Sequence, residues 1–186
     1  PVALEGDELR QVVAASHVLG VRSRTKVREE HLSHAGRMLA IGCFSVGTDQ
    51  VATHDAARLG IPVFNAPHAS TRSVAELTLG AMIALARRLG DKSAWLHQRR
   101  WDKSLAGAHE VRGRRIGIVG YGHIGQQVGL LAEAFGIRVL FHDIVKKLPL
   151  GLARPVAALD DLLAAADFVS LHVPETPRTV AMIGPP

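Results

Sequence analysis

Gly120, Gly122, Gly125 and Asp143 are the residues of this chain whose types and spacing can do chemistry. The three glycines form a G-x-G-x-x-G turn, and the acid lies about 20 residues further on. Each has a physical task. Gly120 permits a tight turn out of a strand. Gly122 lacks a Cβ, so a pyrophosphate can come close to the backbone. Gly125 lets the following helix lie close on the sheet. The start of that helix offers N–H groups and a positive dipole end to phosphates. A carboxylate at the end of the next strand can accept both hydroxyls of an adenosine ribose and would repel a 2′-phosphate. The chemistry these residues predict is dinucleotide binding, with NAD rather than NADP as the cofactor.

The flanking residues predict the elements that must position them. A short apolar run, 116–119, reads as the strand that leads into the turn. Ile124, Val128, Leu131, Ala132 and Phe135 recur at helical spacing, and Gly136 stops that helix. A second apolar run, 139–141, leads to Asp143. After a loop over 146–155 come a helix over 159–165 and a third strand over 168–171, followed by His172, Val173 and Pro174. The sheet so predicted has three strands.

Upstream, the pattern alternates helix and strand. Helices are expected over 7–15, 28–35 and 50–59, the last ended by Gly60. Strands are expected over 18–21, 38–43 and 61–65. This makes a small parallel α/β layer without a glycine fingerprint. The first strand delivers Arg22, Ser23, Arg24 and Thr25 to a loop, a common place for ligand contacts in open α/β sheets. Ser73 and Glu76 have capping-box spacing and predict a long helix from 73 to 89 ended by Gly90. Its apolar residues lie nearly all round, so it is expected to be covered by more than one neighbour, in the core or in an interface. Residues 91–110 are polar and read as an excursion over the surface.

Composition narrows the function classes. The chain has 186 residues, 47% of them hydrophobic and 4% aromatic, which suits one large or two small globular domains. No apolar run approaches the length of about 18 residues that a membrane helix needs, and no secretion signal opens the chain. Cys43 is the single cysteine, which excludes an internal disulfide and fits a reducing cytoplasm. It reads as a small buried hydrophobe or, less simply, as a reactive thiol. The net charge is +5. The basic residues are scattered and accompany no aromatic platform or zinc pattern, so no nucleic-acid partner, metal or membrane is expected. A basic surface also suits an anionic substrate drawn into a cleft.

The chain resembles the D-isomer-specific 2-hydroxyacid dehydrogenases. The resemblance rests on VLGVRSRTKV (18–27), AIGCFSVGTDQV (40–51), GIPVFNAP (60–67), STRSVAEL (70–77), VGYGHIGQQ (119–127), KLPLG (147–151) and VSLHVPETP (169–177). Within that family it is nearest to the branch that interconverts 3-phosphoglycerate and 3-phosphohydroxypyruvate with NAD at the start of serine synthesis. The implied fold is α/β: a flavodoxin-like parallel-sheet substrate domain over 1–70, a linker helix and dimerisation segment over 71–110, and a Rossmann NAD-binding domain over 111–186, with both domains incomplete.

The resemblance implies roles residue by residue. His123 and Ile124 would meet the pyrophosphate with the glycine turn. Asp143 would meet the ribose, and His172, Val173 and Pro174 the adenosine. Arg22 and Ser23 would hold the anionic groups of the substrate. Trp101 and Lys103 resemble residues that reach a neighbouring subunit's site, so a homodimer or homotetramer is implied. Ser70 stands where the family commonly has Asn; it can hydrogen-bond the substrate with a shorter reach. By themselves, Arg22 reads as readily as an exposed loop cation, Lys103 more simply as an exposed lysine, Trp101 as a surface-packing aromatic and His172 as a capping or packing histidine. The family's catalytic Arg, carboxylate and His lie downstream of its H-V-P element, so no catalytic residue is assigned here. The chain alone is expected to bind cofactor without turnover. Another 2-hydroxy acid as substrate, or a non-catalytic NAD-binding module, are the alternatives.

Overall fold

The computed structural model describes residues 3–184; Pro1, Val2, Pro185 and Pro186 lie outside the described residues. It divides into two compact units, residues 1–70 and 71–186.

The first unit runs α1 Gly6–Ala15, β1 Val18–Val21, α2 Glu29–Leu32, β2 Ala40–Cys43, α3 Thr53–Arg58 and β3 Val63–Asn65. Its strands pair in parallel in the order β1-β2-β3. Side chains alternate along β1, so Leu19 and Val21 enter the core while Val18 and Gly20 face out. The core gathers Leu9, Val13, Val21, Leu32, Ile41 and Cys43. Burial pushes the Cys43 thiol up, with Asp49 adding to the rise, so Cys43 is a small core hydrophobe. Two predicted helices are shorter than expected. After Leu32 the chain closes three-residue turns, with the amides of His34 and Ala35 on the carbonyls of His31 and Leu32. Before Thr53, Val51 makes a parallel bridge with Val27.

The second unit runs α4 Thr71–Ala86, α5 Leu89–His97, β4 Arg115–Val119, α6 His123–Ala134, β5 Arg138–His142, β6 Arg154–Pro155, α7 Leu159–Ala165 and β7 Phe168–Leu171. Four parallel strands lie in the order β6-β5-β4-β7, one more than the sequence predicts. The extra strand is two residues long and sits at the edge, where Pro155 lacks no needed donor.

The expectations for residues 71–110 need two corrections. The long helix opens at Thr71, so Ser73 and Glu76 lie inside it and form no capping box. Glu76 instead pairs with Arg72, 2.6 Å away. The helix ends at Ala86, because Arg88 takes a left-handed conformation at φ 55° and starts a second helix, which includes Leu89 and Gly90. Residues 91–97 are therefore helical, and they lie at the surface as expected, since α5 buries none of its residues. Within the chain, α4 buries one stripe, Ala75, Leu79, Met82 and Ala86, and packs on α6, while Leu77 and Leu85 are each 74% exposed.

The core beneath the sheet unites Ile116, Ile118, Val128, Ala132, Val139 and Phe141 with Leu79 and Met82 of α4. Each of these side chains except Ala132 contributes about 1.5–3 kcal/mol through burial. On the other side α7 approaches β4 so closely that Gly117 has no room for a side chain. A Cβ there would press into Leu162, which is fully buried, and lie 3.0 Å from the Ala166 Cβ. Gly117→Ala is therefore expected to cost about 1–3 kcal/mol. Denaturant unfolding checks this; an unchanged midpoint would show that α7 shifts freely.

Candidate functional site

The strand order makes a crevice. From β4 the chain passes to β5 on one side, and later to β7 on the other. At such a reversal the connections diverge, and ligands bind beyond the carboxyl ends of the strands. The glycine turn lies there.

Gly120 adopts φ 89°, a left-handed conformation that favours glycine, and a Cβ on it would lie 2.6 Å from the His172 carbonyl oxygen. Gly122 is the N-cap of α6, no side chain caps that helix, and a Cβ on Gly122 would meet nothing within 4 Å. Gly125 faces back onto the turn: its Cβ would run into the Gly120 carbonyl and lie 3.0 Å from Ile118 Cγ2. The Gly120 amide donates to the His142 carbonyl at 2.8 Å, and the His172 amide donates to the Val119 carbonyl at 2.8 Å. The turn is thus held between the ends of β5 and β7.

A cavity of about 590 Å³ opens beside it. Its walls include Val119, Gly120 and Gly122 from the turn, His142 and Asp143 from the end of β5, and His172, Val173 and Pro174 from the end of β7. Of the residues expected to bind cofactor, Gly120, Gly122, Asp143, His172, Val173 and Pro174 share this cavity. His123, Ile124 and Gly125 do not line it; they form the first turn of α6. The sequence reading missed Ile144, Val145, Thr176, Pro177, Arg178, Thr179 and Met182, which complete the walls. The signal that could have found them is position: they continue the chain just beyond two parallel strand ends. Asp143 Oδ2 accepts the Tyr121 amide at 2.8 Å, and its Oδ1 accepts the Val145 amide at 2.9 Å.

These residues fit an adenine dinucleotide. Open space over Gly122 admits a pyrophosphate, Asp143 gives a carboxylate at the wall, and Ile144, Val145, Val173 and Pro174 give apolar faces for a flat ring.

His172 is half-buried, and its Nε2 lies 2.9 Å from the Ser170 hydroxyl. Burial pushes its pKa below the ordinary imidazole value. In the unfolded chain a histidine takes up a proton near pH 6.5, whereas the folded protein does so only at lower pH. The unfolded state therefore binds more protons below about pH 6.5, and stability falls as the pH drops through that range. Denaturant unfolding at pH 7.5 and at pH 5 is expected to show a smaller loss for His172→Gln than for the unsubstituted protein. Equal losses would remove His172 as the source.

The other expected site residues are not among those that line this cavity. Arg22 and Ser23 stand exposed in the loop after β1, and Ser70 closes the first unit. At the same end of the β-sheet as Arg22, Asn65 Nδ2 donates to the Val46 carbonyl at 2.6 Å and ties the ends of β2 and β3 together. Trp101, 69% exposed, and Lys103 follow α5 on a loop, where the Ser104 amide holds the Asp102 carboxyl below the usual carboxylate range. Among the described residues no helix is long and apolar enough to cross a membrane.

Known proteins match this arrangement. The chain is 50% identical over 177 residues to the D-3-phosphoglycerate dehydrogenase of Haemophilus influenzae, covering 95% of this chain and 43% of that protein. It is 50% identical over 182 residues to the Escherichia coli D-3-phosphoglycerate dehydrogenase, covering 98% of this chain and 44% of the relative. The chain thus spans less than half the length of the curated relatives it matches. Among solved structures, a Thermus thermophilus protein superposes with a TM-score of 0.87 at 35% identity, over 96% of this chain and 58% of its own. The D-lactate dehydrogenase of Aquifex aeolicus, complexed with NAD and lactic acid, superposes with a TM-score of 0.82 at 30% identity, over 91% of this chain and 52% of its own. Residues 79–185 match the family described as D-isomer specific 2-hydroxyacid dehydrogenase, NAD binding domain. With more than half of its length in that match, the glycine turn and Asp143 included, the chain belongs to the D-isomer specific 2-hydroxyacid dehydrogenase family.

Proposed function

We propose that the chain is the NAD-binding unit, with part of the substrate unit, of an enzyme that oxidises 3-phospho-D-glycerate to 3-phosphohydroxypyruvate, the first step of L-serine synthesis. One observation carries this reading. A cavity walled by the glycine turn and Asp143 lies in a chain half identical, along nearly all its length, to D-3-phosphoglycerate dehydrogenases.

Bound NAD supplies the hydride acceptor. The residues of this chain place it. The turn and the start of α6 hold the pyrophosphate, Asp143 accepts the ribose hydroxyls, and His172, Val173 and Pro174 support the adenosine. Burial lowers the His172 pKa and so favours the neutral ring, which adds no charge there. Arg22 grips the substrate's carboxylate or phosphate through its planar fork, with Ser23 and Ser70 as hydrogen-bond partners. Trp101 and Lys103 serve the site of a neighbouring copy. The exposed Leu77, Leu85 and Leu89 of α4 and α5 support a homo-oligomer, since exposed leucines gain by burial against a second copy. The single buried cysteine supports a cytoplasmic setting.

The test is NADH oxidation by the full-length natural protein with 3-phosphohydroxypyruvate and, in parallel, hydroxypyruvate. Turnover selective for the phosphorylated acid is expected. Preference for the unphosphorylated acid would assign another 2-hydroxy acid, and NADH binding without turnover of either would make this a non-catalytic module.

A further inference from the structure

We infer that Asp143 has a second task, as the positioning residue that shapes the phosphate-binding turn. The inference rests on the NAD reading above and adds a role to a residue already placed at the ribose. Three consecutive residues at the end of β5 hold the turn. The Phe141 ring stacks on Tyr121 with centroids 3.8 Å apart and planes 13° from parallel. The His142 carbonyl accepts the Gly120 amide at 2.8 Å. Asp143 Oδ2 accepts the Tyr121 amide at 2.8 Å.

Tyr121 stands between Gly120 and Gly122 of the turn, and it is fully buried. Its amide is out of reach of water and needs an acceptor within the protein. Asp143 provides one, and with its other oxygen it accepts the Val145 amide and sets the turn beyond β5. An ionised carboxylate has about four lone-pair sites. Two backbone amides therefore leave capacity for ribose hydroxyls, and the same group can shape the turn and read the sugar. Asparagine cannot replace it. Its single oxygen satisfies one amide, and its NH₂ confronts the other donor.

The consequence separates the two tasks. A carboxylate that only reads ribose is irrelevant to a ligand without ribose hydroxyls. A carboxylate that shapes the turn matters to any ligand with a pyrophosphate. The probe is 2′,3′-dideoxyadenosine diphosphate, which keeps the adenine and the pyrophosphate and has neither hydroxyl. Its binding is measured calorimetrically, or by competition with NADH fluorescence, for the full-length protein and its Asp143→Asn variant. Asp143→Asn is expected to weaken the dideoxy ligand by about tenfold, the worth of one charge-assisted hydrogen bond, while NADH weakens by more. Equal dideoxy affinity in the two proteins, with NADH weakened only in the variant, would overturn the positioning role and leave the NAD reading intact. Failure of the unsubstituted protein to bind NADH would overturn both. Should the variant fail to fold, hydrogen exchange in the unsubstituted protein decides. A Tyr121 amide protected like those within β4 supports the role, and one that exchanges like an open loop overturns it.

Discussion

Gly125→Ala is expected to abolish measurable NADH binding and to lower the melting temperature by about 3–15 °C, the equivalent of about 1–3 kcal/mol of overpacking in a unit of this size. The reason is a backbone contact. A Cβ on residue 125 would run into the Gly120 carbonyl oxygen and would lie 3.0 Å from Ile118 Cγ2. A carbonyl in a turn fixed at both ends cannot swing away as a flexible side chain can. The first turn of α6 must instead lift from β4, carrying with it the amides that meet the pyrophosphate. Gly122→Ala is the matched control. Its Cβ would meet nothing within 4 Å, and its backbone is extended, so stability should stay within about 0.5 kcal/mol of the unsubstituted protein. Yet that methyl projects into the space a pyrophosphate needs, so NADH affinity should still fall. Calorimetric melting with NADH fluorescence titration reads both effects. If Gly125→Ala melts and binds as the unsubstituted protein does, close approach of helix and turn is not what the site requires.

Arg22→Ala in the full-length enzyme is expected to lower kcat/KM for 3-phosphohydroxypyruvate by about a hundredfold, as loss of a charge-assisted, two-pronged contact would. Arg22 is well suited to that test. It stands exposed beyond β1 and makes no ion pair among the described residues, so its removal should barely move the melting temperature. Arg22→Lys should recover only part of the loss, because an ammonium offers a point charge where a planar fork met two oxygens. Steady-state kinetics with the phosphorylated and unphosphorylated keto acids provide the measurement. A residual rate independent of the residue at position 22 would return Arg22 to the status of a surface cation.

Legibility followed the range of the interactions. Strands β1 and β7 and helix α7 were readable to the residue, since apolar pattern and the breaks around it are local. Helix α5 was not. It buries none of its residues and so has no apolar stripe to betray it. Instead, Arg88, Lys92 and Arg100 gather on the Trp95 ring at 4.8–5.4 Å, and the Arg88 side chain also pairs with Asp91. The capping box was misplaced because the helix opens at Thr71, which puts Ser73 inside its first turn, and Glu76 pairs with Arg72. Strand β6 is two residues beside β5, and nothing in Arg154 or Pro155 announces it.

For the site, the sequence by itself determined the turn and the acid. A G-x-G-x-x-G between an apolar run and a helical pattern has few other backbone solutions, and chain order puts Asp143 at the end of the next strand. Only the tertiary structure decided how β4, β5 and β7 lie side by side and so where the crevice opens. It alone brought Ile144, Arg178 and Met182 into one wall and hung the Tyr121 amide on Asp143. Those facts depend on parallel pairings between segments dozens of residues apart. Local backbone preference cannot encode such pairings; they follow from which apolar faces the folded sheet must cover.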